Sequence, residues 1–321
     1  MYFSHSEPIK RNPVSIRLDD FTIMYGSFVA VDHLTTELPR GTIGLLGPNG
    51  AGKSSLIKGL LGLVPYAEGT AEIMGSSIAG RADNIRQLVG YMPEDNCLVP
   101  GLTGVGMVQY AGELCGMTKQ DAMHRAHEVL YLTGLEEARY RKVQSYSSGM
   151  KQRIKLAQAL VHDPKLLFLD EPTSGMDPKG RQEMLDLIVD IANNGRMSIV
   201  VATHILTDVE RTCERVVIMH RGRVVEDSRV DDIRKSYANT YSVRVTANDE
   251  EFYRYLEKSG CSIVDYGKDI HDITLPKGAT TRLVVEAAGR TNAGLRKIVP
   301  SVRSLEDVFM KRILEGTSAD I

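Results

Sequence analysis

The chain has 321 residues, a formal net charge of −2, an apolar share of 42% and a charged share of 25%. That length accommodates one sizeable domain and a smaller one, with enough apolar residues for a buried core. The near-zero charge excludes a protein-wide field that would draw the chain to nucleic acid or anionic lipid. The longest apolar stretches, such as Leu166-Leu167-Phe168-Leu169, are far too short to cross a bilayer. The polar stretch Met1 to Pro13 lacks the apolar core of a secretory signal. The protein is therefore expected in the cytosol, serving a membrane only through another subunit. Cys97, Cys115, Cys213 and Cys261 form no CxxC pair and have no clustered histidines near them, so free thiols are expected.

Residues 14 to 46 alternate short β-type runs with turns. Ser15 to Leu18 and Thr42 to Leu46 read as strands, with Tyr25-Gly26-Ser27 as a turn between them. After Gly52 the period changes, and Leu56, Ile57, Leu60, Leu61 and Leu63 fall at helical spacing. Leu88 to Met92 is the next core strand. Residues 103 to 145 read as wholly helical, a block inserted between strands. Lys165 to Asp170 is a compact apolar strand ending in a carboxylate, followed by a helix from Gly180 to Ala192. Ser198 to Ala202 is another buried strand, and Val216 to Val225 a hairpin turning at Arg221-Gly222. Strands alternating with helices predict a mostly parallel sheet.

The pattern shifts around Tyr237 to Asn239. Tyr241 to Thr246, Cys261 to Tyr266, Ile270 to Leu275 and Leu295 to Val299 read as strands, with helices at Glu250 to Lys258 and Thr281 to Ala288. That order, βαββαβ, predicts a small ferredoxin-like α+β module. A closing helix is expected over Ser304 to Leu314, with Ser304 as its N-cap.

Gly47-Pro48-Asn49-Gly50-Ala51-Gly52-Lys53-Ser54 fits GxxxxGK[ST] at every fixed position, with a strand before and a helix after. The glycines let the backbone wrap an anion with its N–H groups pointing inward. The helix that follows adds the positive end of its dipole. Lys53 is expected on the β- and γ-phosphates, the Ser54 hydroxyl on Mg²⁺, and Ser55 among the nucleotide contacts. Asp170 and Glu171 end a buried strand at the sheet edge where ligands bind in open α/β folds. Asp170 suits Mg²⁺, and Glu171 suits a general base beside the attacking water. His204 follows the strand Ser198 to Ala202 at the same edge and suits contact with the γ-phosphate or the water.

With these residues in place, the chain resembles the ATP-binding subunit of an ABC transporter. The deciding stretch is Tyr146-Ser147-Ser148-Gly149-Met150-Lys151-Gln152-Arg153, similar to the signature usually written LSGGQ. Ser174-Gly175-Met176-Asp177 resembles the family's D-loop, and His204 its switch histidine. The resemblance covers residues 14 to 230. It implies a P-loop ABC ATPase core over 14–236, with antiparallel β and helical subdomains (the latter about 100–146), and an accessory α+β domain over 240–316. It also implies ATP and Mg²⁺ as cofactors and a head-to-tail homodimer. In that dimer Ser147 and the Gly149 N–H of one copy grip the γ-phosphate on the other copy's loop. Tyr25 matches the aromatic residue that stacks on adenine.

Two departures from the family pattern stand out. Tyr146, Ser148 and Met150 replace three of the five signature letters, while Ser147 and Gly149 remain. Glu94, in Tyr91-Met92-Pro93-Glu94, stands where a glutamine usually touches the metal and the membrane subunit; a carboxylate there is also a Mg²⁺ ligand. The tail Ser304-Leu305-Glu306-Asp307-Val308-Phe309 resembles the ends of ATPases from small two-component exporters. The expected partner is an integral-membrane permease, which places the chain peripherally on the cytoplasmic face of the membrane with no nucleic-acid role. A soluble ATPase of the same family acting on ribosomes or DNA is the competing reading. Those resemblances usually bring tandem ATPase domains or long coiled-coil inserts, and this chain has one phosphate loop and no long heptad run.

Overall fold

The computed structural model describes residues 14–300 apart from 80–81, 195–196, 237–238, 266–270 and 277. The described chain divides into two compact units, the first running to Ser228 and the second beginning at Arg229. The expected helix at Ser304 to Leu314 lies outside the described residues.

The first unit is built on two sheets. One is antiparallel, with β1 (Val14–Tyr25), β2 (Phe28–Pro39), β4 (Glu68–Ile73) and β5 (Ser76–Ser77) in the order β2-β1-β4-β5. The other has β3 (Thr42–Leu46), β6 (Val89–Met92), β7 (Leu166–Asp170), β8 (Ser198–Thr203), β9 (Arg215–His220) and β10 (Arg223–Arg229) in the order β10-β9-β3-β8-β7-β6. Of its five pairs of neighbours four are parallel ladders, β9-β3, β3-β8, β8-β7 and β7-β6. Every residue of β3, β7 and β8 is buried, as continuous apolar runs in a parallel sheet require.

The helices of this unit are α1 (Lys53–Leu60), α2 (Ala82–Leu88), α3 (Gly104–Leu114), α4 (Lys119–Leu132), α5 (Ser148–Leu160), α6 (Pro178–Asn193) and α7 (Leu206–Thr212). Their starts are chemically specified. Thr103, Thr118, Ser147 and Asp177 each turn a side-chain oxygen onto a backbone N–H of the first turn, satisfying a donor the helix leaves unpaired. Between α4 and α5 the block expected to be wholly helical contains two short 3₁₀ turns, Glu136–Tyr140 and Val143–Ser145. Proline-free but rich in charge, that stretch has few apolar positions to bury, and Val143 is the buried residue that anchors it.

In the second unit, α8 (Val230–Ser236) precedes β11 (Thr240–Val245), α9 (Asp249–Lys258), β12 (Ser262–Asp265), β13 (His271–Thr274), α10 (Arg282–Thr291) and β14 (Leu295–Pro300). The sheet order is β12-β13-β11-β14, with all three ladders antiparallel. This is the ferredoxin-like arrangement. Val243, Phe252, Leu256, Ile273, Val284 and Ala287 form its buried core.

Gly90, in β6, lies close against α5, and a β-carbon there would sit on the carbonyl oxygen of Ala159. Gly90→Ala is expected to destabilise the protein by about 1–3 kcal/mol through overpacking, read as a lower urea midpoint at unchanged m-value. An unchanged midpoint would mean that β6 and α5 separate at no cost.

Candidate nucleotide site

The parallel ladders bring three strand ends to one edge. Leu46 pairs with Thr203, and Asp170 with Ala202. The Gly47 N–H crosses to the Thr203 carbonyl at 3.4 Å. From Gly47 the chain turns through Gly50 (φ 82°) and Gly52 (φ 103°) into α1. Both angles lie where only glycine sits without strain. Gly52 is doubly constrained, since a β-carbon would strike the Ala30 carbonyl. The loop faces a cavity of about 270 Å³ lined by residues 49–55 together with Phe28, Ala30, Glu94 and Glu171.

Lys53 is buried, and its Nζ donates to the carbonyls of Gly47 (2.7 Å) and Pro48 (3.2 Å). Burial pushes its pKa down, opposed by the negative charge of Glu171, Asp170 and Glu94. The Ser54 hydroxyl donates to Asp170 Oδ1 at 3.1 Å. Asp170 is buried, and its pKa is raised by burial. Ser54 and Lys53 pull it down, while Glu94 and Glu171 push it further up.

Glu171 is buried as well, with its backbone in the left-handed region (φ 49°). Its Oε1 lies 2.9 Å from His204 Nδ1 and accepts the His204 backbone N–H at 3.2 Å. The Thr203 hydroxyl donates to Oε2 at 3.3 Å. A hydroxyl beside buried carboxylates, with a third carboxylate on the cavity wall, is an all-oxygen set of the kind Mg²⁺ takes. A glycine cradle at a helix N-terminus with a buried lysine suits phosphate.

The site residues read from the sequence separate into two groups. Residues 49 to 55, Glu94 and Glu171 line the cavity, Gly47 and Pro48 hold Lys53, and Asp170 holds Ser54. Ser147 and Gly149 do not line it. Ser147 is exposed, caps α5 through the Met150 N–H at 3.3 Å, and precedes a first turn whose N–H groups lack intrahelical partners. Tyr25, at the end of β1, is 45% exposed and outside the cavity lining. Phe28, its cross-strand partner, lines the cavity and is 61% exposed. Sequence reasoning missed Phe28, Ala30 and Thr203. An exposed aromatic opposite Tyr25 across a two-residue turn was the available signal for Phe28.

Residues 31–174 match the sequence family described as "ABC transporter". The bacitracin transport ATP-binding protein BcrA of Bacillus licheniformis is 34% identical over 311 residues, covering 94% of this chain and 98% of its own length. The chain belongs to the ABC transporter family. Among solved structures, cbiO1 from Clostridium perfringens, part of the ABC transporter complex cbiONQ, superposes with a TM-score of 0.63 at 25% identity. That match covers 70% of this chain and 92% of cbiO1. An ATP-binding subunit of an ABC transporter matches with a TM-score of 0.61 at 30% identity, over 68% of this chain and 92% of its own.

This ABC protein is an ATP-binding and ATP-hydrolysing subunit, and no helix among its described residues is long and apolar enough to cross a membrane. A carboxylate whose pKa is raised on folding weakens the folded state as pH rises through the carboxylate range. Asp170→Asn therefore removes a penalty that is present at neutral pH. We expect a higher thermal midpoint for the nucleotide-free variant at neutral pH, a gain that shrinks as pH falls toward the ordinary aspartate value and is gone below it. Turnover assayed with Mg²⁺ present should fall by about 10²-fold. A variant that melts lower at neutral pH, or turns over normally, contradicts this account of Asp170.

Proposed function

We propose that this chain powers export through a separate integral-membrane permease by closing as a homodimer around two ATP molecules. The observation that carries the reading is Glu171 in the wall of the phosphate-loop cavity, held by His204. A buried carboxylate, fixed by an imidazole and a backbone N–H, is held where it can take a proton from a water attacking the γ-phosphate. In that step the water oxygen bonds to the γ-phosphorus, the bond to the β–γ bridging oxygen breaks, and ADP and phosphate leave. Mg²⁺ would be held by Ser54, Asp170 and Glu94, where it supplies charge neutralisation on the phosphates. Lys53 would move from its own loop carbonyls onto the β- and γ-phosphates. Phe28 in the cavity lining, with Tyr25 opposite it, would supply an aromatic face for adenine.

The places of Ser147 and Gly149 support the homodimer. Ser147 and Gly149 sit outside their own chain's cavity, and a free helix N-terminus is a ready anion site. A second copy offering that end to the γ-phosphate completes the enclosure. The permease would dock on residues 100–146 and place the chain at the cytoplasmic face of the membrane. The end-to-end match to a bacitracin transport ATPase supports a cargo of the antibiotic class, and residues 240–316 would form an accessory domain of that transporter type.

Glu171→Gln is expected to bind ATP, to lose at least about 10²-fold in turnover, and to accumulate as an ATP-dependent dimer in light scattering. Adding Ser147→Arg should abolish that dimer without weakening ATP binding by the monomer. Normal phosphate release from the first variant removes Glu171 as the base, and an undiminished dimer in the second removes the signature from the interface. Membranes co-expressing the chain with its permease should retain it through gentle detergent extraction.

A further inference from the structure

Helix α5 carries a cation inside the protein. Lys155 is 2% exposed and ranks among the largest fully buried side chains, in a stretch where Ile154, Leu156 and Ala157 are also buried. An ammonium in such surroundings is costly unless its donors are used. Here Nζ donates to the backbone carbonyls of Pro93 (2.7 Å) and Glu94 (2.9 Å). Burial lowers the Lys155 pKa, and the charges of Cys97, Glu94, Asp95 and Asp170 oppose that shift. The side chain takes no part in the cavity lining.

The two carbonyls belong to the segment that leaves β6 and carries Glu94 to the cavity wall. Residues 93–98 lie in no helix or strand, so no ladder holds them. Lys155 lies two turns along the helix that Ser147 caps. An α-helix over that distance is stiff.

We propose that Lys155 is a positioning residue that fastens the Glu94 loop to the signature helix, so that a displacement of either is passed to the other. The inference rests on the proposed roles of Glu94 at its own nucleotide and of Ser147 at the partner's. It makes the cis and trans ends of the machinery one mechanical body. The connection uses backbone carbonyls, so it does not depend on which side chain stands at 94. Its catalytic effect does, because the loop delivers Glu94.

The test is Lys155→Met, which keeps the length of the stem and removes the donors. In the nucleotide-free protein, amide hydrogen exchange over 93–98 should accelerate at least tenfold, while exchange in α1 stays within twofold. Turnover should fall about tenfold with the KM for ATP within twofold. In a Glu94→Gln background the same substitution should cost less than twofold. Parental exchange over 93–98 overturns the fastening, and an undiminished tenfold loss in the Glu94→Gln background overturns the route through Glu94. If Lys155→Met fails to fold, Lys155→Gln, whose shorter amide reaches at most one carbonyl, should raise the exchange about threefold. Parental exchange in that variant also overturns the proposal. Parental turnover in Glu94→Gln alone removes Glu94 from the hydrolysis reading and leaves the exchange result to decide the fastening.

Discussion

The parallel pairing of β7, β8 and β3 is the constraint on which the rest of the site depends. Leu46 opposite Thr203 sets where the phosphate loop begins, and Asp170 opposite Ala202 sets where the acids end their strand. Side chains alternate faces along a strand, so a slip of one residue would turn each of these groups to the wrong side. Burial on both faces prevents the slip, since every residue of the three strands is packed. The site's geometry is thus stored in apolar contacts that touch no nucleotide.

At that edge the charges are unbalanced by themselves. Asp170, Glu171 and Glu94 face one buried lysine, which is turned onto its own loop carbonyls. Burial works against ionisation of both Asp170 and Lys53. Phosphates bring more negative charge, which a divalent cation arriving with the nucleotide would offset. Sites that trade stability for function in this way are common in enzymes.

Much of this was legible because it depends on local chemistry. The phosphate loop announces itself by spacing and flanks, and Arg221-Gly222 does turn a hairpin, with both residues at positive φ. The βαββαβ order is present in the second unit within a few residues of the expected boundaries. What was hidden depends on distant partners. β4 and β5 were missed because Glu68-Gly69-Thr70 reads as a loop, and only pairing along β1 makes it a strand. The strands expected to be short, around Ser15 to Leu18, run to Tyr25 because β2 and β4 flank β1 through its bulges. Thr203 meets Glu171 only through folding, and no motif marks it. Lys155 is the extreme case: no motif marks it, and its burial depends on the segment leaving β6 being laid against α5.

The segment from Glu171 to Asp177 shows how the fold preserves a strained catalytic candidate. A non-glycine residue in the left-handed region costs roughly 1–2 kcal/mol, and such strain persists only where the surroundings over-determine it. Glu171 N–H is held by the Ala202 carbonyl at 2.9 Å, and its own carbonyl accepts from Ser174 N–H at 3.1 Å. Two residues on, the Thr173 hydroxyl donates to the fully buried Asp208 at 2.6 Å, and Arg181 Nε closes on the same carboxylate at 2.9 Å. Gln152 of α5 donates to the Ser174 carbonyl at 2.8 Å. The segment is therefore gripped from α5, α6, α7 and β8 at once. A buried carboxylate satisfied by a hydroxyl and a guanidinium is costly to break from one side, so Asp208 resists any relaxation of the turn. The strain at Glu171 is thereby kept where its carboxylate meets His204, and the same contacts tie that point to the helix that begins at Ser147.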